Sequence, residues 1–119
     1  MNFVINTAPR TKKNSQQIIY CKGHPMVIQS KLYRDYEKAC KEYIPKVETI
    51  RQKCSVKCLF YMPTKRRVDL TNLLEAIDDI LVKYGVLEDD NYNIIDNHDG
   101  SRVYYDKKNP RTEITINLL

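Results

Sequence analysis

The sequence predicts a single domain of the mixed α/β (α+β) class, in which two principal helices pack on one mixed β-sheet. The chain has 119 residues, a length that supports one compact core. Two segments carry apolar residues at helical spacing, and other apolar segments alternate as strands do. No internal repeat, low-complexity tract or Gly/Ser linker separates them, so residues 1–119 are assigned to one domain.

The first half of the chain is predicted to contain strands around one helix. Phe3 and Ile5 alternate with polar neighbours, and residues 7–17 follow as a basic loop. Residues 18–20 and 26–28 then flank a turn that contains Gly and Pro. Ser30 is expected to cap a helix that Pro45 ends or kinks. The apolar positions of this helix are Leu32, Tyr36, Ala39, Cys40, Tyr43 and Ile44. A strand is predicted over 55–62, with one face formed by Val56, Cys58, Phe60 and Met62.

The second half is predicted to contain a helix over 70–84, a hairpin and a last strand. Asp69 is placed to cap the helix and Gly85 to end it. The apolar stripe of the helix is Leu70, Leu73, Leu74, Ile77, Ile80, Leu81 and Tyr84, and its polar side is Thr71, Asn72, Glu75, Asp78 and Asp79. Residues 92–95 and 102–105 flank the turn-rich NHDGS as a hairpin, and the strand over 111–118 turns Ile114, Ile116 and Leu118 inward.

The sequence argues against a membrane or secreted protein. The longest apolar run, residues 58–62, is too short to span a bilayer, and no secretory signal is recognisable at the amino terminus. The four cysteines are irregularly spaced, which favours reduced, mostly buried thiols over a zinc site. These features predict a cytoplasmic protein with no membrane partner.

Charge is distributed unevenly along the chain. Residues 1–68 hold 15 Lys/Arg and 4 Asp/Glu, whereas residues 69–119 hold 5 and 11. A basic body with an acidic cluster suits a metal-dependent nuclease, because cations bind phosphates and carboxylates bind hard metal ions. Two solvated faces of opposite sign are the alternative.

The segment over 65–90 carries the candidate chemistry. Lys65, Arg66 and Arg67 precede Asp69, and a carboxylate pair at residues 89–90 follows the helix. If the chain after Gly85 returns along the helix, the carboxylates converge into a site for Mg²⁺, which prefers oxygen ligands and activates water. The alternatives are a helix N-cap at Asp69 and an exposed acidic turn after the helix.

Four segments together resemble the RusA family of Holliday-junction resolvases. They are PRTKKNS (9–15), RRVDLTNLLEA (66–76), GVLEDD (85–90) and HDGSRVYYDKKNPRTEITI (98–116). The resemblance implies a RusA-like fold, divalent-metal-dependent hydrolysis of four-way or branched DNA, and a homodimer, since paired cuts need two sites. It also implies roles in recombination and repair, or in phage genome processing.

The resemblance assigns roles to individual residues. Asp69 matches the first catalytic aspartate, Asn72 the asparagine that follows, and Asp90 the catalytic member of the later pair, with Asp89 beside it. The basic residues before the motif match Arg66 and Arg67, and a helix aspartate matches Asp79.

Two positions depart from the family pattern. Thr71 stands at the second aspartate, and Glu75 stands at a lysine. We expect Glu75, one turn after Thr71, to replace the missing ligand. The lost cation would then come from Lys12, Lys13 or Lys65.

The predicted site therefore consists of three groups. The catalytic residues are Asp69, Glu75 and Asp90, and the ligands for Mg²⁺, or alternatively Mn²⁺, are Asp69, Glu75, Asp89 and Asp90. The DNA-binding residues are Lys12, Lys13, Asn14, Lys65, Arg66, Arg67 and Arg102. The alternatives are a resolvase fold that binds branched DNA without cutting, a protein-interaction module, a solvated strand position for Arg102, and a turn rather than a general base at His98.

Overall fold

The fold is built on one five-stranded mixed sheet, and the computed structural model describes residues 1–12 and 16–119. The elements, in chain order, are β1 (Asn2–Ile5), β2 (Gln16–Cys21), β3 (His24–Gln29), α1 (Lys31–Lys41), β4 (Cys54–Met62), α2 (Leu70–Lys83), β5 (Ile95–Asn97), β6 (Arg102–Tyr105) and β7 (Arg111–Leu118). β1 pairs with β7 and β7 with β4, both antiparallel, whereas β5 and β6 pair parallel with β4. The predicted mixed α+β domain with two helices is confirmed.

The core lies between one face of the sheet and the two helices. Along β4, Cys54, Val56, Cys58 and Phe60 are fully buried, while the residues between them face the other, open side of the sheet. Both helices contribute to the same apolar cluster, α2 with Leu73, Ala76, Ile77, Ile80 and Leu81, and α1 with Tyr33, Tyr36 and Cys40. Thr112, Ile114 and Ile116 close the core from β7.

The helix boundaries follow from their caps. Ser30 caps α1, since its side chain accepts a hydrogen bond from the Tyr33 amide. Gly85 follows α2 with φ of +80°, a conformation that favours glycine, and its amide donates to the Val82 carbonyl. Both of these caps were predicted, but α1 ends at Lys41, before the Pro45 that was expected to end it.

β2 and β3 form a separate two-stranded sheet. The turn between them is made by Lys22 and Gly23, both with positive φ, and Pro25 lies inside β3 rather than in the turn. The predicted turn between two short strands is confirmed, with this shift in the position of Pro25.

The predicted hairpin over 92–105 is wrong. β5 and β6 lie one after the other along β4, both parallel to it, and do not pair with each other. Side chains fill the gap in the ladder between them: His98 Nδ1 lies 2.8 Å from the Val56 carbonyl, and the Cys58 amide donates to Ser101 Oγ at 3.0 Å. The turn between β5 and β6 returns the chain to its original direction. β4 is long enough to pair with both short strands.

Four expectations of burial are also wrong. Leu32, Tyr43 and Leu118 are 59%, 38% and 58% exposed, so the apolar stripes of α1 and β7 are shorter than predicted. Asp78 is buried, although the sequence placed it on the polar side of α2. All four cysteines are free thiols among the described residues, and burial raises the pKa of Cys40 to about 12, as expected for an inert thiol.

Candidate metal and nucleic-acid site

The chain between β4 and α2 carries three exposed cations to the start of the helix. Lys65, Arg66 and Arg67 are all exposed and are separated from Asp69 only by Val68. Asp69 occupies the N-cap position of α2 in an extended conformation. Within the described chain its carboxylate makes no capping hydrogen bond and accepts only from Asn72 Nδ2, at 3.3 Å. Asp69 is therefore the N-cap residue by position, as predicted, but its side chain does not cap the helix.

A shallow polar pocket opens at this carboxylate. Its volume is about 400 Å³, and it is lined by Thr11, Arg67, Val68, Asp69 and Asn72. Thr11 belongs to the segment after β1, so the amino-terminal loop forms one wall. Carboxylate, amide and hydroxyl oxygens are ligands that Mg²⁺ accepts, and Arg67 supplies a cation beside them. The donor chemistry of this pocket suits a hydrated divalent ion.

Lys12 contacts the polar side of α2. Its ammonium forms an ion pair with Asp79 and lies 6.0 Å from the centre of the Tyr33 ring. Glu75 is exposed one helical turn before Asp79, on the same side of α2. The structure thus brings Lys12 close to the acidic residues of α2, whereas Lys13 and Asn14 lie outside the described residues.

Both carboxylate oxygens of Asp89 accept hydrogen bonds within a turn after α2. Its Oδ1 accepts from the Asp90 amide at 2.7 Å, and its Oδ2 accepts from Asn91 Nδ2 at 3.0 Å. These hydrogen bonds, chiefly those from Asp90, hold the pKa of Asp89 below its usual range. Asp89 lines a second pocket of about 470 Å³, separate from the pocket at Asp69.

The two predicted catalytic aspartates lie on either side of α2 in the sequence. Asp69 precedes α2 and Asp90 follows it, and the described residues contain no group of three His, Cys, Asp or Glu that could hold a metal ion. After α2 the chain first pairs with the segment before β4, where Ile50 bridges Leu87, and then with β4 itself from Ile95. The charge of Asp90 adds to the effect of burial in raising the pKa of Asp78, a residue in the middle of α2.

Asp78 and His98 form a polar pair that the sequence reasoning missed. His98 Nε2 lies 2.9 Å from Asp78 Oδ2, while Asp78 Oδ1 is buried and has no partner among the described residues. A signal was present, because Asp78 lies four residues after Leu74 and three before Leu81, both in the apolar stripe. The turn at residues 98–101 was predicted, but its contact with α2 was not.

Arg102 and Lys65 lie in different surroundings. Arg102 is exposed at the start of β6 and is aligned with Leu59, so it shares the open face of the sheet, away from α2. Lys65 lies beside Tyr105, with its Nζ 5.1 Å from the ring centre. Of the described cations predicted to bind DNA, Arg102 alone is separated from Asp69 by the sheet.

The comparisons with known proteins agree with the sequence motifs. The family model described as "Endodeoxyribonuclease RusA" matches residues 6–117. A comparison with curated proteins gives no match. No helix in the described part of the chain is long and apolar enough to cross a membrane. RusA endodeoxyribonucleases resolve Holliday junctions and generally depend on a divalent metal ion. Because the match covers nearly the whole length, the chain belongs to the RusA family of endodeoxyribonucleases.

Proposed function

We propose that this protein is a Mg²⁺-dependent endonuclease that cuts four-way or branched DNA. The observation that carries the proposal is that the Asp69 carboxylate at the start of α2 makes no capping hydrogen bond and closely follows three exposed cations. A carboxylate that is not needed by the helix and that faces a polar pocket is suited to a metal ion. The adjoining cations are suited to the phosphates of the DNA.

Each group of residues has a separate task in this proposal. Lys65, Arg66 and Arg67 bind backbone phosphates and hold the scissile strand at the start of α2. Asp69 holds the metal ion together with a second carboxylate, for which Glu75 and Asp90 are our candidates. Bound there, Mg²⁺ would activate water for attack on phosphorus. Asp89 keeps the Asp90 turn in shape and stays ionised.

We further propose that the protein acts as a homodimer. Two cuts in a four-way junction need two sites, and two-fold pairing is the commonest arrangement of identical subunits. Pairing would also let Asp69 of one copy share a metal ion with a carboxylate of the other. A two-fold axis across antiparallel α2 helices would bring Asp69 of one copy towards the other copy's acidic turn.

The test is a cleavage and binding assay with labelled DNA. A four-way junction and a duplex of equal length are incubated with Mg²⁺, with Mn²⁺ or with EDTA. The protein is used as wild type, Asp69→Asn or Asp35→Asn. Asp35 is an exposed acid on α1 that pairs with Lys31, so its change controls for the loss of one surface charge.

We expect symmetric, metal-dependent cuts by wild type and by Asp35→Asn, on the junction only. Asp69→Asn should bind the junction and leave it uncut. Junction binding without cuts by wild type, with either metal, would mean that Thr71 and Glu75 have disabled the site and that the protein only binds DNA. Weak binding without salt dependence would contradict both readings.

A further inference from the structure

Two adjacent tyrosines end β6 and have different surroundings. Tyr104 and Tyr105 are 43% and 48% exposed, and strand alternation turns them to opposite faces of the sheet. Tyr104 lies on the open face and stacks on Tyr61 at 5.2 Å between ring centres. Arg111 covers the Tyr61 ring at 3.8 Å. Tyr104 is thus committed to a stack within the protein.

Tyr105 lies on the side of the sheet that carries the helices. It is aligned with Met62 of β4, which lines a pocket of about 420 Å³ together with Arg66 and Arg67. Lys65 Nζ lies 5.1 Å from the Tyr105 ring centre. The half-exposed ring therefore stands beside the cationic segment that leads to Asp69.

This combination fits nucleic acid whose bases are open. An aromatic ring next to a phosphate-binding cation is the usual arrangement for single-stranded bases, because the ring stacks on a base while the cation neutralises the backbone. Bases in an intact duplex are already stacked and offer no face to the ring. A branch point is where a base can leave its stack, and a mispaired or unpaired base leaves most easily.

We propose that Tyr105 stacks on a nucleobase that is unpaired at the branch point, while Lys65 binds the adjoining phosphate. The inference rests on the proposed action on branched DNA and adds the residue that distinguishes a branch from a duplex. Tyr105 is then a specificity residue that contacts the substrate near the cut.

The experiment compares three variants on two kinds of DNA in EDTA. Binding is measured on a four-way junction that carries 2-aminopurine at the branch point and on a duplex of equal length. The fluorescence of 2-aminopurine reports directly on stacking of the base. Tyr105→Leu removes the ring, Tyr105→Phe keeps it, and Tyr104→Leu removes a ring of similar exposure from the opposite face.

We expect Tyr105→Leu to bind the junction about tenfold more weakly and to lose the change in branch-point fluorescence that wild type produces on binding. Tyr105→Phe should resemble wild type, and duplex binding should be the same for all variants. Tyr104→Leu should keep the junction preference.

Several results would overturn the inference. One is unchanged junction binding and quenching by Tyr105→Leu, and another is an equal loss on the duplex. An equal loss of junction binding in Tyr104→Leu would mean that binding depends on β6 as a whole rather than on the Tyr105 ring. If wild type cuts the junction while quenching does not depend on Tyr105, only the stacking role fails. If wild type does not bind the junction at all, the proposed function fails with it.

Discussion

His98 and Asp78 share a proton between the sheet and α2. His98 Nδ1 lies 2.8 Å from the Val56 carbonyl, which accepts hydrogen bonds only, so Nδ1 carries a hydrogen. The other ring nitrogen lies 2.9 Å from Asp78 Oδ2, and a neutral ring with this tautomer would turn a lone pair towards the carboxylate. A proton must therefore lie between Nε2 and Oδ2. The hydrogen bond to Asp78 raises the pKa of His98, whereas burial raises the pKa of Asp78.

We predict that His98→Ala destabilises the fold by about 2 to 4 kcal/mol, because it leaves the Asp78 carboxylate buried without a partner. Chemical denaturation at pH 6.5 measures the change in free energy of unfolding. Asp96→Ala, an exposed acid two residues earlier, is the matched control and should change stability by less than about 0.5 kcal/mol. A loss as small as the control's would show that the pair does not hold α2 on β4.

The same pair should make stability depend on pH. His98 has a raised pKa in the folded state, so the fold binds its proton more tightly than the unfolded chain does. Its contribution is complete below about pH 6.5, the usual pKa of histidine, and is lost as the pH rises through the higher folded pKa. The pKa of Asp78 is also raised in the folded state, so its contribution to stability also falls as the pH rises. That fall begins at lower pH, near the ordinary acidic pKa of an aspartate. We expect melting temperature to fall between pH 6.5 and 8.5 in wild type and to fall less in His98→Gln. Equal slopes for both proteins would contradict this.

Local signals were sufficient for most of the fold. The alternation of apolar residues over 55–62, the Ser30 cap and the Gly85 stop are short-range patterns, and each is present where it was predicted. The pairing of β5 and β6 was not predictable in the same way. A turn-rich segment between two strands usually marks a hairpin, and only the long β4 ladder, with His98 filling the gap, makes parallel pairing possible.

The candidate residues come from local motifs, but their arrangement is not a local property. The distance between Asp69 and Asp90 depends on where the chain turns back, which no local pattern contains. The buried Asp78 and the ion pair between Lys12 and Asp79 are likewise contacts between distant segments. Thr71 and Glu75 are exposed on α2, where packing does not constrain the choice of residue.

We predict that Asp79→Asn tightens DNA binding, because the ion pair with Asp79 occupies Lys12 in the free protein. Once released, Lys12 is available to a phosphate, so the slope of log K against log salt should steepen by about one. Fluorescence anisotropy in EDTA at several salt concentrations measures the slope without cleavage. Adding Lys12→Met to Asp79→Asn should remove the gain. A gain that persists without Lys12 would reflect only the loss of negative charge.

We predict that Glu75→Gln lowers the cleavage rate by at least about a hundredfold, if Glu75 supplies the ligand that Thr71 lacks. The decisive comparison is rescue: Thr71→Asp in the Glu75→Gln background should restore much of the rate by returning a carboxylate to the first turn of α2. Single-turnover cleavage of a junction under saturating Mg²⁺ measures both. Glu48→Gln, an exposed acid outside the helices and strands, is the control. An unchanged cleavage rate in Glu75→Gln, or a loss of rate that Thr71→Asp does not restore, would show that Glu75 is not the substitute ligand.

We predict that two inactive variants, Asp69→Asn and Asp90→Asn, restore activity when mixed and allowed to exchange subunits. If each site combines Asp69 of one copy with the Asp90 carboxylate of the other copy, a mixed dimer has one intact site and one doubly altered site. About half of the dimers are mixed, so about a quarter of the wild-type cuts should return, as single nicks rather than paired cuts. Each variant alone should remain inactive. If both carboxylates act within one chain, every site in the mixture lacks one of them, and the absence of nicks beside active wild type would place the site inside a single subunit.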